Sequence, residues 1–279
     1  MVYHVLFNPH AGNGRGEAEA RKLNELMPDV TLRYYDMTSF TRGYGDFFAA
    51  IDPADVVIVA GGDGTLNRFI NDTQALHIEN DIQYFAVGSG NDFLHDLGKK
   101  KGEPPFSIKK YLVDLPVVTV KGKSYRFLNG IGYGIDGYCC EVGDKLCETS
   151  NKPVNYTAIA IKGLLFHYKP VNARITVDGE VHKFRKVWLA PTMNGRFYGG
   201  GMMVAPQQDR LNPERTVSVS VMYGSGKVKT LVVFPSIFKG EHFKHTEMNK
   251  VMTGHEIKVE FERPTALQIY GETFLGVKE

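Results

Sequence analysis

Val56-Val57-Ile58-Val59-Ala60-Gly61-Gly62-Asp63-Gly64-Thr65-Leu66-Asn67 is the stretch that decides the fold of this chain. The apolar run at its start reads as a strand buried on both faces, as in a parallel sheet. Beyond the glycines, Leu66, Phe69, Ile70 and Thr73 recur at helical spacing. A strand, a tight glycine turn and a helix N-terminus together make a device for anions. The glycines allow close backbone approach, and the free N–H groups and helix dipole favour phosphate. Asp63 adds a carboxylate where an anion would sit, which calls for a metal, a donor network or a hydroxyl. The stretch therefore points to a nucleotide–metal site rather than a bare phosphate nest.

Strands and helices alternate around it. Strands are expected over 2–8, 30–35, 56–60 and 82–87, and helices over 16–27, 43–50, 66–74 and from 92 to 97. Such alternation implies a parallel sheet with helices on both faces. Near residue 115 the pattern changes to strands separated by turns, over 117–120, 124–129, 173–177, 183–190, 217–222, 256–261 and 266–270. Asp178-Gly179 lies between two of these runs as a hairpin turn. The expectation is α/β: residues 1–115 as a parallel-sheet nucleotide-binding domain, then 116–279 as a β-sandwich carrying the substrate side. Its long helix is expected over 154–168, with a shorter one over 231–239.

Composition sets limits on function. The 279 residues suffice for two domains, and 43% hydrophobic with 23% charged residues is ordinary for a globular chain. A net charge of +2 gives no support to nucleic acid as a partner. Cys139, Cys140 and Cys147 make neither a disulfide framework nor a zinc site, so a reducing, cytoplasmic setting is expected. The chain enters its first apolar strand directly, and no apolar run reaches the roughly 18–20 residues of a membrane span.

Two further glycine turns follow strands. Asn8-Pro9-His10-Ala11-Gly12-Asn13-Gly14-Arg15-Gly16 precedes the first helix, without the Lys-Ser/Thr ending of a P-loop or the spacing of a dinucleotide fingerprint. Val87-Gly88-Ser89-Gly90-Asn91-Asp92-Phe93 is the third. One such turn can be a simple helix cap. Three, at the carboxyl edge of one parallel sheet, converge where ligands bind.

These three motifs together resemble the diacylglycerol kinase catalytic family, which includes bacterial soluble lipid kinases and sphingosine kinases. The Gly-Gly-Asp-Gly-Thr element is shared with NAD kinases, while Gly90-Asn91-Asp92-Phe93 favours the lipid-kinase side. The resemblance continues through Asn129-Gly130-Ile131-Gly132-Tyr133-Gly134-Ile135-Asp136, Asn194-Gly195-Arg196-Phe197-Tyr198-Gly199-Gly200-Gly201-Met202 and Val204-Ala205-Pro206. It implies an NAD kinase-like α/β domain followed by a β-sandwich, with ATP and Mg²⁺ as cofactors. Carried over by position, it places Asn8, Pro9, His10, Ala11 and Gly12 beside the nucleotide with Thr38 nearby. Gly62, Asp63, Gly64, Thr65, Leu66 and Asn67 would hold the phosphates, and Ser89 keeps the hydroxyl of a frequent Thr. Asp63 would organise Mg²⁺, directly or through water.

Three positions depart from the family pattern. Arg68 stands where Glu is usual, and a solvated helix face is its favoured reading. The Asp-Gly turn of a structural metal loop is missing after Ala205-Pro206, although Asp209 remains as a metal ligand candidate. Tyr270 occupies the place of the Asp that serves as base in relatives. A phenol needs roughly 4 kcal/mol of differential stabilisation to ionise near neutral pH. Glu272, two residues on, would face the same side if the segment stays extended, and is the candidate substitute base.

The expected partners are ATP and a lipid with a free hydroxyl, with peripheral contact at the inner membrane surface and a homodimer among the expectations. Lys99-Lys100-Lys101, Lys109-Lys110 and Lys227–Lys229 are the basic clusters available for membrane contact. The apolar segment 154–168 reads as a buried helix or an acyl-chain groove, and His242, His245 and Glu247 lack a metal-ligand pattern. Three activities stay open at this point: a lipid kinase, an NAD kinase, and a nucleotide-binding sensor that has lost catalysis.

Overall fold

The computed structural model describes residues 1–88, 90–135, 142, 159, 163, 168–269 and 272–279. The chain divides into two units, Met1–Leu115 and Pro116–Glu279. The first is built on β1 (Tyr3–Phe7), β2 (Leu32–Asp36), β3 (Val56–Gly61), β4 (Asp81–Ala86) and the short β5 (Phe106–Ser107). Their order is β2-β1-β3-β4-β5; the first four are parallel and β5 runs antiparallel to β4.

Central β3 is buried at all six positions, as its unbroken apolar run requires. Val5, Ile58, Phe85 and Leu23 close the core between this sheet and the segment after β1. That segment differs from expectation. The helix read over 16–27 is two short pieces, Gly16–Ala20 and Leu23–Leu26. At the junction the amides of Lys22, Asn24 and Glu25 reach back only three residues, so the turn tightens instead of continuing.

The second unit starts with the hairpin β6 (Val117–Val120) and β7 (Lys123–Arg126), then β8 (Gly130–Tyr133). It continues through β9 (Val171–Val177), β10 (Glu180–Val187), β11 (Thr192–Met193), β12 (Phe197–Tyr198), β13 (Met202–Met203) and β14 (Val217–Met222). β15 (Asn249–Gly254), β16 (Ile257–Phe261), β17 (Thr265–Ile269) and β18 (Glu272–Val277) complete it. A six-stranded antiparallel sheet, β15-β14-β11-β8-β17-β18, packs on the three-stranded β10-β9-β16. Ile175, Phe184 and Phe261 of the small sheet meet Val219, Val221, Leu267 and Ile269 of the large one. The fold class is thus the one read from the sequence, α/β followed by a β-sandwich.

Asp178 and Gly179 both take positive φ, 47° and 86°, between the paired residues Val177 and Glu180. That is the geometry a two-residue hairpin demands. The helix expected over 231–239 begins earlier, as Lys227–Val233, and passes into a 3-10 segment, Phe234–Lys239, with a proline in its first turn. The long helix expected over 154–168 lies largely outside the described residues, as do Cys139, Cys140 and Cys147; within that stretch Ile159 and Tyr168 are buried against the cluster around Trp188.

His242 is buried, with Nε2 3.1 Å from the Val204 carbonyl. Burial pushes its imidazole from 6.5 down to about 4, so it stays neutral at neutral pH. A base with a depressed folded pKa stabilises fully above its unfolded value and loses that contribution as pH falls toward its folded value. Stability of the chain should therefore decline by about 3 kcal/mol between pH 6.5 and 4 through this group. Urea denaturation of wild type and His242→Gln across that range checks this: the variant should show the shallower pH dependence.

Candidate phosphate-binding site

In the first unit, β2 lies on one side of β1 and β3 on the other. The connections leaving β1 and β3 therefore run in opposite directions and open a crevice at the carboxyl edge of the sheet. Loop residues close on this crevice from three strands. Asn8, just past β1, donates from Nδ2 to Thr65 Oγ1 at 2.9 Å, while its Oδ1 accepts from the His10 amide at 3.0 Å. A Cβ at Gly16 would fall 1.8 Å from the Asn8 carbonyl oxygen, so that turn admits only glycine.

The second loop is the glycine stretch itself. Gly62 precedes the helix Asp63–Asp72 in extended geometry and supplies no side-chain cap. The helix is ten residues long, and its dipole turns the positive end toward this loop. The third loop lies against it, backbone on backbone. A Cβ at Gly88 would sit 2.6 Å from Gly62 Cα, and one at Gly62 would sit 3.2 Å from Gly88 Cα.

Asp63 binds the second and third loops together. Its Oδ2 accepts from the Asp92 amide at 2.8 Å and its Oδ1 from the Phe93 amide at 2.9 Å. One carboxylate therefore heads its own helix and caps the short helix Asp92–Asp96. Asn91, at φ 49°, donates to the Gly88 carbonyl at 2.8 Å, while its buried Oδ1 has no hydrogen-bond partner. Lys101 reaches into the same loop, donating to the Val87 carbonyl at 3.0 Å.

Sequence reasoning missed Tyr84. Its hydroxyl donates to the Gly61 carbonyl at 3.0 Å, beside the Val87 amide at 2.9 Å on the same oxygen. Burial, helped by the charges of Asp63 and Asp92, raises the phenol well above 10 and keeps it protonated. The aromatic residue reads in the sequence as one more core position of β4, and only the fold reveals its polar end at the glycine turn.

The remaining expected residues are distributed unevenly. His10 is exposed on the first loop and Gly64 in the first turn of the helix Asp63–Asp72, while Pro9, Ala11 and Gly12 are half-buried. Leu66 is fully buried and its amide donates to the Gly62 carbonyl, so it contributes packing rather than a free donor. Asn67 is buried on the same helix. Thr38 follows β2, and both its amide and hydroxyl donate to Asp36 Oδ1, at 2.8 and 2.7 Å. Arg68 is 77% exposed and pairs with Asp72 at 3.5 Å, on a solvated face. Ser89 and Tyr270 lie outside the described residues.

Glu272 is the first residue of β18, which runs antiparallel to β17, with Ile269 opposite Glu272.

Cation fit differs between the two candidate carboxylates. The two oxygens of Asp63 accept the Asp92 and Phe93 amides, and the unsatisfied Asn91 oxygen lies in the neighbouring loop. Hard oxygen donors of this kind suit Mg²⁺, which commonly takes one or two carboxylates with phosphates and water. Asp209 accepts from the Leu211 amide at 2.9 Å. Around it the Gln208 and Asn212 amide groups donate to the Thr216 carbonyl at 2.9 and 3.0 Å, so side chains lace this loop. Among the described residues, no group of three His, Cys, Asp or Glu gathers anywhere, including around His242 and His245.

The pattern described as "Diacylglycerol kinase catalytic domain" matches residues 2–116, and that of "YegS C-terminal NAD kinase beta sandwich-like domain" matches residues 129–277. YtlR of Bacillus subtilis is 28% identical over 274 residues, covering 88% of this chain and 84% of YtlR. A diacylglycerol kinase of Mycobacterium tuberculosis is 25% identical over 282 residues, covering 96% and 87% respectively. Among solved structures, a diacylglycerol kinase of Bacillus anthracis shares the fold at a TM-score of 0.62 and 20% identity, over 98% of this chain and 91% of that one.

Gly88→Ala should force the second and third loops apart and cost about 1–3 kcal/mol in urea denaturation, as overpacking does. Tyr84→Phe, which leaves the Val87 amide on the Gly61 carbonyl, should cost only about 1 kcal/mol in the same measurement.

Proposed function

The chain belongs to the diacylglycerol kinase catalytic family, and we propose that it transfers the γ-phosphoryl group of ATP, with Mg²⁺, to the hydroxyl of a diacylglycerol- or sphingoid-type lipid. The observation that carries this reading is the double hydrogen bond from Asp63 to the Asp92 and Phe93 amides. It ties two glycine loops together at a helix N-terminus beside the topological switch point. Phosphoryl transfer depends on positioning and charge neutralisation more than on covalent help from the protein.

In this reading the first unit is the nucleotide-binding domain and the second the lipid-substrate domain. The amides at the head of the helix Asp63–Asp72 bind phosphate oxygens, and Asn8 and Thr65 hold the first loop beside them. Asn8 to Gly12 and Thr38 flank the nucleotide, with the Ser89 hydroxyl in the third loop. Asp63, and Asn91 beside it, supply oxygen donors for Mg²⁺, which when bound neutralises charge on the β- and γ-phosphates. A cation at Asp209 is the weaker assignment, because amide side chains already satisfy the carbonyls there.

The acceptor hydroxyl must lose its proton. With Tyr270 in the place of the family's Asp, Glu272, the first residue of β18, is assigned as the base. General-base assistance is worth about 10²–10⁴-fold. A catalytically silent nucleotide sensor is the second reading, favoured by Tyr270 alone. The natural setting of the lipid reading is the inner membrane surface, reached peripherally; among the described residues no helix is long and apolar enough to cross a membrane.

Transfer of labelled phosphate from ATP to a panel of diacylglycerols and sphingoid bases tests the proposal. Transfer should require Mg²⁺, stop on chelation, and fall about 100-fold or more in Asp63→Asn. Nucleotide binding with no transfer to any lipid would replace the kinase reading with the sensor. Glu272→Gln should lower kcat by about 10²-fold or more, and an unchanged rate would remove Glu272 as base. Tyr270→Asp should raise kcat if the family's base is restored by it.

A further inference from the structure

The second unit carries a groove of about 540 Å³ on the outer face of its large sheet. That is the size of a small-molecule site. Strands β14 and β15 contribute Ser218, Thr253 and Asn249, with Ser218 opposite Thr253 and Met222 opposite Asn249. Paired residues share a face, and the alternate positions Val219, Val221 and Met252 turn into the sandwich core. The loop after Ala205-Pro206 adds Gln208, and the 3-10 turn His242–Lys244 adds Phe243. Tyr223, edge-on against Phe184, also lines the groove.

Protons fix the direction of each hydrogen bond here. Gln208 is buried and donates from Nε2 to the Thr216 carbonyl at 2.9 Å, which leaves its Oε1 for Ser218. The Ser218 hydroxyl gives its one proton to that oxygen at 2.6 Å. The 2.8 Å contact between Ser218 and Thr253 must then be donated by Thr253, whose oxygen keeps only acceptor capacity. Asn249 is 5% exposed, and its Nδ2 donates to the His245 carbonyl at 3.3 Å. That contact sets the orientation of the amide and leaves Oδ1 buried without a hydrogen-bond partner. A buried acceptor is costly until a donor reaches it. The charges of the groove cancel. Asp209 and Lys250 are the charged residues among the described ones lining it, and both are engaged. Asp209 Oδ1 accepts the Leu211 amide at 2.9 Å, and Lys250 Nζ lies 3.5 Å from His182 Nδ1.

We propose that this groove binds a neutral cyclic polyol such as a hexose ring, whose hydroxyls donate to Asn249 Oδ1 and Thr253 Oγ1 while its C–H faces pack on Tyr223 and Phe243. The acceptors ask for donors, and a polyol brings several without a charge. An ammonium would bring a charge that the balanced lining does not neutralise, and a phosphate would set acceptors against acceptors. The site goes beyond the kinase reading, since its residues all lie in the second unit and none belongs to the glycine loops. A free sugar and the sugar headgroup of a glycolipid share this chemistry.

The test is titration calorimetry of the full chain, without nucleotide, against methyl glucoside, octyl glucoside below its micelle concentration, and butylammonium. Glucoside binding is expected with a Kd on the order of 1 mM, ordinary for a ligand of about a dozen heavy atoms. Thr253→Val keeps the side-chain shape at an exposed position and should weaken that binding about tenfold. Asn249→Leu should weaken it at least as much; if that variant fails to fold, Thr253→Val decides alone. Tighter binding of octyl than of methyl glucoside assigns the glycolipid headgroup, and equal binding assigns the free sugar; either upholds the site. Binding of butylammonium with no glucoside bound overturns the polyol assignment. Absence of any glucoside binding leaves Asn249 Oδ1 to an ordered water and overturns the proposal. So does glucoside binding that neither variant weakens.

Discussion

One carboxylate accepting two backbone N–H groups is the constraint on which the first unit's site depends. Asp63 sits at the first position of its own helix, where a negative charge is favoured by the dipole, and it caps the helix thirty residues later. Without that link, the loop after β4 would lose its side-chain tie to the helix Asp63–Asp72 and lean on the glycine contact, the bonds to the Gly61 carbonyl and the Lys101 and Asn91 bonds. The same link explains why a carboxylate stands in an anion site. It serves the protein's own donors.

Packing supports this constraint from below. Gly62 and Gly88 bring two backbones closer than any side chain permits, and Tyr84 fixes the carbonyl at the root of the turn. The result is a site organised before any ligand arrives. Pre-organised donors spare the reorganisation cost that a flexible loop would incur on binding. The second unit uses a similar device. Arg210, buried, donates to the Leu128 carbonyl and to Asn129 Oδ1, while Asn194 donates to the same Leu128 carbonyl, so distant motif segments meet at one point.

Much of this was legible in the sequence because it is local. The apolar run 56–60 with its glycines states strand, turn and helix within a dozen residues, and Asp178-Gly179 states its hairpin in two. What stayed illegible depends on distance or on conflict between signals. The Tyr84 hydroxyl meets a carbonyl twenty-three residues away, and nothing in β4 marks it as polar. The start of the helix at Lys227 is hard to read because Val228 and Val232 face outward, against the rule that apolar periodicity marks the buried side. Alternation could not reveal that β17 ends at Ile269 and that Glu272 opens a separate, antiparallel strand.

The bond between Asn8 and Thr65 spans fifty-seven positions of chain, and that between Asp63 and Phe93 spans thirty. Closing such loops is entropically costly until the strands beneath them have paired. A ribosome making this protein therefore releases the first glycine turn long before its partners exist. The complete cradle cannot assemble until residue 93 has emerged. Nucleotide present during synthesis meets no finished site on the early chain, and recognition begins only as a property of the folded unit.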